Sequence, residues 1–291
     1  MDHVLAVDVG GTKLAAGIVD AEGRLVHRAK VPTEGADADA IFAALTGLVD
    51  DVRRQAGVEV LGCGVGCGGP MQGGGLTVSP VNIEAWREFP LRERLGTHLG
   101  IDTWVDNDAK ALALGEGWVG AARDVDNFVA MVVSTGVGGG IVLDGRLLDG
   151  DDGNAGHIGH VIVEPDGHLC GCGARGCLEA EASGTAIAAI TGRPAEEADA
   201  EVKERTGTLV GRTVASVAAL LDLQLACVAG SVALGFGDPF FAAAQAEIDR
   251  RACIWHARGT TIRPGGLGDE GPLVGAAAVA WRALGHDVGT R

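Results

Sequence analysis

Two segments of this chain show the same order of features: a buried strand, a glycine-rich turn and a second strand. The first segment runs from Val4 to Val19 around Gly10 and Gly11, and the second covers residues 128–143 around a turn at 135–140. Glycine permits close backbone approaches that other residues do not, so such turns predict tight hairpins between apolar strands. Their repetition predicts two related α/β units with a cleft between them.

Apolar spacing along the rest of the chain predicts the other elements of these units. Predicted strands cover residues 24–29, 60–67, 103–106, 225–229 and 260–263. Predicted helices cover residues 36–56, 91–99, 109–119, 183–191, 196–206, 210–222, 239–252 and 272–284, whereas residues 151–182 have the composition of a loop. We expect a smaller N-terminal lobe of residues 1–120 plus 272–291 and a larger C-terminal lobe of residues 121–271.

The composition restricts the classes of function. Hydrophobic residues make up 47% of the 291 residues, and the formal net charge is −16 without a dense run of Lys or Arg, so we expect no nucleic-acid partner. The chain has neither the features of a signal peptide nor an apolar run of about 18 residues. We therefore expect a cytoplasmic protein outside the membrane, in which seven cysteines favour buried thiols or a metal site over disulfides.

The two glycine turns have the composition of phosphate-binding loops. The first is Asp8-Val9-Gly10-Gly11-Thr12-Lys13, and the second covers residues 134–140. Successive backbone N–H groups in such turns form an anion-binding nest, to which Thr12 and Lys13 add donors. Two turns that face each other would hold the phosphates of one ATP, with Asp8 binding Mg²⁺ through water. The alternative is a pair of tight hairpins without a ligand.

Two other nucleotide-binding motifs do not fit this sequence. A P-loop requires Gly-Lys followed by Ser or Thr, and no Gly-Lys pair occurs in the chain. Residues 64–69 match the glycine spacing of a dinucleotide-binding loop, but Pro70 and further glycines follow where that motif requires a helix. This match therefore does not predict a dinucleotide site.

A cluster of metal-ligand residues lies within residues 157–179. Cys170, Cys172 and Cys177 sit on a glycine-rich loop, and His160 precedes them. Three thiolates and one imidazole complete a tetrahedral zinc site without an open position for water, so the predicted zinc is structural. His157 and His168 are weaker candidates for the same role, and three reduced thiols without a metal are the alternative. The remaining cysteines lie in apolar stretches and are predicted core residues: Cys63, Cys67, Cys227 and Cys253.

Asn107 and Asp108 follow a predicted strand and open the next helix. A lone Asp at such a position is often only a helix N-cap. If the strand end faces the cleft, however, an Asp beside an Asn supplies a proton acceptor for an attacking hydroxyl group and a ligand for a sugar. Asp102 and Asp106 lie close by, and these residues alone do not decide which carboxylate has this role.

Together these features resemble the ROK family (repressor, open reading frame, kinase) of the actin/hexokinase-like superfamily, over nearly the whole chain. The residues that carry the resemblance are Asp8–Lys13, Gly68-Gly69-Pro70, Asn107-Asp108, Thr135–Gly140, Gly156–His160, Cys170–Glu179 and Ser183-Gly184. The resemblance implies a two-lobed, ribonuclease H-like α/β fold with a cleft between the lobes. It also implies an ATP-dependent kinase for the 6-hydroxyl group of a hexose, with glucose as the first candidate.

The resemblance also implies roles for individual residues. Asp108 matches the catalytic base, and the residues that match sugar contacts are Gly69, Asn82, Asn107, Asp108, His157, His160 and Glu179. The residues that match the ATP-binding loops are Asp8, Gly10, Gly11, Thr12, Lys13, Thr135, Gly136, Gly138 and Gly139. His160 also matches the zinc ligand set, so the metal would orient a sugar contact. Family members are commonly dimers or tetramers, so the resemblance implies a homodimer or homotetramer.

Two positions depart from the family pattern. The family has Glu-x-Gly-His where this chain has His157-Ile-Gly-His160, and that Glu binds the sugar. The acceptor is therefore open among glucose, fructose, N-acetylmannosamine and an aminosugar such as kanosamine.

The second departure concerns the nucleotide site. Where the family usually has paired glycines near the adenine, this chain has the sequence Val-Ala-Gly-Ser at residues 228–231. Polyphosphate as donor and a sugar-responsive binding protein without turnover are further alternatives. The chain starts at the first kinase strand without the helix-turn-helix of the repressor branch, so we expect no DNA binding.

Overall fold

The computed structural model describes residues 2–290, which form two compact units. The first unit contains the chain up to Asp124, the segment Leu147–Ala155 and the chain from Leu267 onward, and the remaining residues form the second unit. The sequence predicts residues 121–124, 147–155 and 267–271 in the C-terminal lobe, whereas they pack with the first unit. The first unit is therefore the larger of the two, although the sequence predicts it to be the smaller.

The predicted strands and helices occur in the predicted order, and the structure adds short elements that the sequence does not predict, including a helix at the end of the predicted loop 151–182. The strands are β1 (His3–Val9), β2 (Lys13–Asp20), β3 (Leu25–Pro32), β4 (Cys63–Cys67), β5 (Met71–Gln72), β6 (Thr77–Val78), β7 (Thr103–Asn107), β8 (Phe128–Val133), β9 (Val137–Leu143), β10 (Arg146–Leu147), β11 (Leu225–Ala229) and β12 (Thr261–Pro264). The α-helices are α1 (Ala38–Ala56), α2 (Leu91–Leu99), α3 (Asp108–Trp118), α4 (Leu178–Ala182), α5 (Gly184–Thr191), α6 (Ala200–Leu221), α7 (Ser231–Phe236), α8 (Asp238–Arg251) and α9 (Gly271–Ala283).

The first unit is built on a five-stranded sheet in the order β3-β2-β1-β4-β7. β1 runs antiparallel to β2 and parallel to β4, which in turn runs parallel to β7. Helix α1 packs against β2 and β3, while α9 packs against β1, β4 and α3. Parallel strands end at the same edge of a sheet, so the residues at the ends of β1, β4 and β7 lie along one edge. We call residues 8–11, 67–69 and 107–108 the carboxyl edge.

The second unit repeats this arrangement. Its sheet has the order β10-β9-β8-β11-β12, in which β8 is antiparallel to β9 and parallel to β11. Helices α6 and α8 pack against each other and bury a core that includes Val129, Met131, Val210 and Phe240. Each unit therefore starts with a hairpin and continues with parallel strands, as the repeated sequence pattern predicts.

Helix α6 is continuous, whereas the sequence predicts two helices at 196–206 and 210–222. Gly207 and Gly211 interrupt the apolar pattern without ending the helix. A Cβ atom at Gly207 would overlap the backbone of Phe240, and one at Gly211 would overlap the backbone of Ala244. The two glycines therefore allow α6 and α8 to approach closely. The stabilisation from this packing outweighs the low helix propensity of glycine, so the helix continues.

The second glycine turn is shorter than the sequence predicts. Strand β9 begins at Val137, so Gly138–Gly140 lie in a strand and the turn itself is Ser134–Gly136. A Cβ atom at Gly139 would lie 2.8 Å from Cγ2 of Ile158 and 3.2 Å from the carbonyl oxygen of Ala130. Glycine at this position allows β9 to pack closely against the segment around Ile158.

Within residues 2–290, no helix has both the length and the apolar character needed to cross a lipid bilayer.

The packing of β4 on α9 predicts opposite effects for two Gly-to-Ala substitutions. A Cβ atom at Gly64 would overlap the carbonyl oxygen of Ala276, so we expect Gly64→Ala to lower the free energy of unfolding by about 2 kcal/mol or more. Gly47 lies on the exposed face of α1 with no neighbouring element within 4 Å, so Gly47→Ala should raise it by about 0.5–1 kcal/mol. Urea denaturation measures both values, and an unchanged stability of Gly64→Ala would contradict this packing.

Candidate active site

Polar side chains gather at the carboxyl edge of the first unit because β1, β4 and β7 all end there. Asp8 is the penultimate residue of β1, and Asn107 and Asp108 stand at the junction of β7 and α3. The parallel register places Asp8 opposite Gly66, and Gly66 opposite Asp106. Gly66 also faces Asp108, because a Cβ atom built on it would lie 3.5 Å from the Asp108 Cα atom. The edge therefore brings Asp8 and Asp108 into one electrostatic environment.

Asn107, and not Asp108, is the N-cap of α3. Its Oδ1 atom accepts hydrogen bonds from the backbone N–H groups of Ala109 at 3.0 Å and Lys110 at 3.4 Å. Asp108 is the first helical residue, and its Oδ1 atom accepts the Ala109 N–H at 2.8 Å. Its side chain is exposed. Asn107 is therefore the N-cap, and the Asp108 carboxylate lies exposed at the positive end of the helix, where its negative charge is stabilised.

Asp8 is a buried carboxylate with a strongly perturbed proton affinity. Only 8% of the residue is exposed. Burial and the negative charge of Asp108 raise the pKa of Asp8 to about 7, and the positive charge of Lys13 opposes this rise. A carboxyl group that titrates near neutral pH at a strand end is typical of a functional site.

The first glycine turn is closed by its own backbone and by the segment after β3. The Gly10 N–H group donates to the Lys13 carbonyl oxygen at 3.0 Å, and the Thr33 hydroxyl group donates to the Gly10 carbonyl oxygen at 2.7 Å. Thr12 and Lys13 are exposed. The side chain of Asn82 occupies the space beside Gly11, where a Cβ atom would overlap it. Two residues with different predicted roles, Gly11 for ATP and Asn82 for the sugar, are therefore in direct contact.

In the second unit, the turn Ser134–Gly136 is attached to Glu179 and to the start of α5. Glu179 Oε2 accepts the Val137 N–H at 2.9 Å, and a Cβ atom at Gly136 would lie 2.8 Å from the same oxygen. The carbonyl oxygen of Thr135 accepts the Thr185 hydroxyl group at 3.0 Å. The structure therefore brings a predicted sugar contact, Glu179, onto a predicted phosphate turn.

The four predicted zinc ligands come together in the second unit. Ligand atoms of His160, Cys170, Cys172 and Cys177 all lie within 4.8 Å of one another. The Sγ atoms of Cys172 and Cys177 are 3.7 Å apart, and Cys170 Sγ lies 3.7 Å from His160 Nδ1. Zinc–sulfur bonds of about 2.3 Å in a tetrahedron place two sulfur atoms about 3.8 Å apart. The donor set and its spacing therefore fit a tetrahedral zinc ion, whereas a disulfide requires sulfur atoms at about 2 Å.

The weaker zinc candidates lie outside this cluster. His168 Nδ1 is 3.0 Å from Oε1 of Glu181, a buried carboxylate that also binds Arg205 Nη2 at 2.6 Å. Burial alone would raise the pKa of Glu181, but hydrogen bonds from the backbone and ring of His168 and from Arg205 lower it below its usual value. The ring of His157 lies nearly parallel to that of His160 with 6.1 Å between centroids. Both histidines flank the cluster without completing it.

A family model of the ROK family matches residues 4–283. The chain belongs to the ROK family.

Known proteins similar to this ROK family member include sugar kinases. The N-acetylmannosamine kinase of Salmonella arizonae is 38% identical over 250 residues, which cover 80% of this chain and 84% of that protein. The crystal structure of a ROK hexokinase from Thermus thermophilus superposes with a TM-score of 0.85 at 32% identity and covers 98% of this chain and 100% of that chain. A ROK family glucokinase from Streptomyces griseus, solved with glucose and AMPPNP, has a TM-score of 0.83 at 31% identity over 94% of this chain and 98% of that chain.

These comparisons confirm the predicted fold, a two-lobed hexokinase-like α/β fold, and the predicted class of enzyme. This ROK family member is an ATP-dependent sugar kinase, a phosphotransferase with an alcohol group as acceptor.

The sequence reasoning missed a buried lysine next to the predicted base. Lys110 is 2% exposed, and its Nζ atom lies 2.9 Å from Asp106 Oδ1 and 2.6 Å from Asp149 Oδ1. Burial raises the pKa of Asp106, while the charge and hydrogen bond of Lys110 oppose this rise. Asp106 lies in β7 and Lys110 in α3, so the helical i, i+4 rule does not predict their pair, and the sequence has no signal for the distant Asp149.

The raised pKa of Asp8 predicts a pH-dependent gain in stability for Asp8→Asn. An unfolded Asp8 releases its proton near pH 4, whereas the folded state keeps it until about pH 7, so wild-type stability falls as the pH rises through this range. The amide carries no charge, so Asp8→Asn should exceed the wild type in free energy of unfolding by about 2–4 kcal/mol at pH 8, and by less at pH 5.

Urea denaturation at the two pH values measures this difference. Asp102→Asn removes an exposed carboxylate before β7 and is the matched control, for which we expect no such gain. Equal stabilities of Asp8→Asn and the wild type at pH 8 would show that the Asp8 carboxylate is not penalised by burial.

Proposed function

We propose that this chain transfers the γ-phosphoryl group of ATP to the 6-hydroxyl group of a hexose, with Asp108 as the catalytic base. The observation that carries this proposal is the exposed Asp108 carboxylate at the carboxyl edge, where Asn107 caps the helix in its place. Asp108 accepts the hydroxyl proton while the sugar oxygen forms a bond to the γ-phosphorus and the bond to the ADP oxygen breaks. General-base help of this kind aligns the attacking oxygen and prevents the build-up of positive charge on it.

For the acceptor we propose N-acetylmannosamine, with glucose as the second candidate. Support for the first comes from the N-acetylmannosamine kinase that is 38% identical to this chain, and from His157, which stands where the family pattern has a sugar-binding Glu. A carboxylate only accepts hydrogen bonds, whereas a neutral imidazole has one donor and one acceptor nitrogen. His157 therefore suits a different polar group on the sugar from the one that Glu suits. Support for glucose comes from the similar glucokinase that was solved with that sugar.

We assign the phosphates of ATP to the two glycine turns. In the first unit, Gly10, Gly11, Thr12 and Lys13 supply backbone and side-chain donors at the carboxyl edge. In the second unit, the corresponding donors belong to Thr135 and Gly136, whereas Gly138 and Gly139 act by letting β9 pack closely. Mg²⁺ bound to ATP neutralises charge on the transferred group, and Asp8 is the carboxylate at the edge suited to hold it through water.

The sugar contacts divide between the two units. Gly69, Asn82 and Asn107 belong to the first unit, and His157, His160 and Glu179 belong to the second. Asn82 touches Gly11, and Glu179 touches the turn at Gly136, so in each unit a sugar contact supports a phosphate turn.

We further propose one structural zinc ion bound by His160, Cys170, Cys172 and Cys177. His160 offers its Nδ1 atom to the cluster, and this leaves Nε2 for a sugar hydroxyl group. A site with three thiolates requires a reducing compartment, which supports a cytoplasmic location. The resemblance to the family supports a homodimer or homotetramer.

Phosphoryl transfer by Asp108 predicts a large loss of turnover when its carboxylate is removed. We expect Asp108→Asn to have an unfolding midpoint no lower than that of the wild type, because it removes the repulsion with Asp8. We expect its kcat to fall by at least about 10²-fold, the lower end of the range for loss of a general base. Asp102→Asn is the control with the same change of charge on an exposed carboxylate, and it should keep normal kcat. Near-normal turnover by Asp108→Asn would refute the assignment of the base.

A coupled ADP-release assay over a panel of sugars tests the acceptor in the same experiment. We expect the highest kcat/KM for N-acetylmannosamine and a lower value for glucose, with fructose and kanosamine as further members of the panel. The highest value for glucose would favour the second candidate. Sugar binding without ADP release would indicate a non-catalytic binding protein, and sugar phosphate formed only with polyphosphate would overturn ATP as the donor.

The zinc proposal predicts that metal content and stability fall together. Metal analysis of the purified protein should give about one zinc per chain, and a strong chelator should lower the unfolding temperature. Cys177→Ser should lose the metal, because it removes a buried ligand. Cys253→Ser changes an exposed thiol in the same unit and should keep both zinc and stability. Full zinc content in Cys177→Ser would contradict the ligand set.

A further inference from the structure

One segment of the first unit interrupts the chain of the second. The chain leaves the second unit at Arg146, passes through Leu147–Ala155 in the first unit and returns at Gly156. We call Leu147–Ala155 the strap. The Ala155 N–H group donates to the Asp149 carbonyl oxygen at 2.9 Å and closes the strap on itself. Leu147 is the buried last residue of β10, and the part of the strap after it is held in the first unit by two polar attachments.

The first attachment is Lys110 on helix α3. Its ammonium group lies 2.6 Å from Asp149 Oδ1 and donates to the Gly153 carbonyl oxygen at 3.1 Å, and its third partner is Asp106 at 2.9 Å. An ammonium group has three N–H donors, so Lys110 has a partner for each of them. Two of the three partners belong to the strap, and burial in the first turns of α3 gives Lys110 little freedom to move.

The second attachment is Asn154. Its Oδ1 atom accepts the Met71 N–H at 3.1 Å, and its Nδ2 atom donates to the Met71 carbonyl oxygen at 3.0 Å. The amide side chain thus satisfies both backbone groups of Met71, as a neighbouring strand would. Gly153 passes beside Gly74, because a Cβ atom built on Gly153 would lie 4.0 Å from the Gly74 Cα atom. The strap therefore rests on the hairpin formed by β5 and β6.

Both attachment points lie two residues from a proposed sugar contact. Lys110 follows Asp108 on α3, and Met71 follows Gly69 at the end of the carboxyl edge. The end of the strap at Ala155 also precedes His157 by two residues. The strap is therefore attached close in sequence to several proposed sugar contacts.

We propose that Lys110 and Asn154 are positioning residues for the acceptor sugar, which act by holding the strap beside the sugar contacts of the carboxyl edge. This proposal rests on the proposed function as a sugar kinase. The first glycine turn makes its hydrogen bonds elsewhere, within the turn between Gly10 and Lys13 and from the turn to Thr33. Release of the strap should therefore weaken the binding of the sugar and leave the binding of ATP intact.

The test compares two strap variants with a matched control. Asp149→Asn weakens the first attachment while Lys110 keeps its pair with Asp106, and Asn154→Ala removes the second attachment. Asp151→Asn makes the same change of charge as Asp149→Asn at an exposed position of the strap. We expect the KM for the best sugar to rise about 5- to 20-fold in both strap variants, with the KM for ATP and kcat within about twofold of wild type. Asp151→Asn should match the wild type in all three values.

Rescue by a conservative change separates positioning from general loss of structure. Asp149→Glu keeps a carboxylate for Lys110, so it should recover at least half of the lost sugar affinity. A sugar KM in both strap variants within about twofold of the control would overturn the proposal, and so would an equal rise in the KM values for sugar and ATP.

The same experiment distinguishes failure of the strap proposal from failure of the proposed function. A wild-type protein that phosphorylates no sugar refutes the function itself. In that case, the rates of hydrogen exchange at the Asn154 and Ala155 backbone amides still test whether the attachments hold the strap. We expect these rates to rise in Asp149→Asn and not in Asp151→Asn. Equal exchange in these two variants would show that Lys110 does not hold the strap.

Discussion

The proposed active site depends on a buried carboxylate, Asp8, that lies beside a second carboxylate, Asp108, at the carboxyl edge of the first unit. Asp8 and Asp108 come together because β1, β4 and β7 are parallel and end at the same level. The cost of this arrangement is visible in the raised pKa of Asp8, which burial and the charge of Asp108 both cause. A protein retains such a destabilising pair where the site needs negative charge to bind a cation or to accept a proton.

Several side chains of the proposed site also have local structural roles. Asn107 caps α3 and thereby leaves Asp108 exposed. Asn82 fills the space beside Gly11, and in the second unit Glu179 accepts a hydrogen bond from the backbone of β9. Each of these residues is also a proposed sugar contact. Structural roles and proposed substrate-binding roles thus fall on the same side chains, so a kinetic test of one of these residues also needs a measurement of stability.

Loops that bury little apolar surface are held by polar contacts in both units. In the second unit, His160 and three cysteines come together in the loop before α4. Glu181 on α4 binds His168 of this loop and Arg205 of α6. In the first unit, Lys110 and Asn154 hold the strap. Charged and directional hydrogen bonds therefore add to the apolar packing at these places.

The sequence by itself determined the features that depend on neighbouring residues. These are the two strand–glycine–strand units, the helix start at Asn107-Asp108 and the four ligands of the proposed zinc site, because turns, caps and closely spaced ligands leave local patterns. Only the tertiary structure decided features that depend on distant contacts. Gly207 and Gly211 continue α6 because α8 packs on them, and Lys110 meets Asp149 because the strap folds back onto α3. The physical reason is that a close approach of backbones or a buried ion pair depends on which segments meet, and local sequence does not record this.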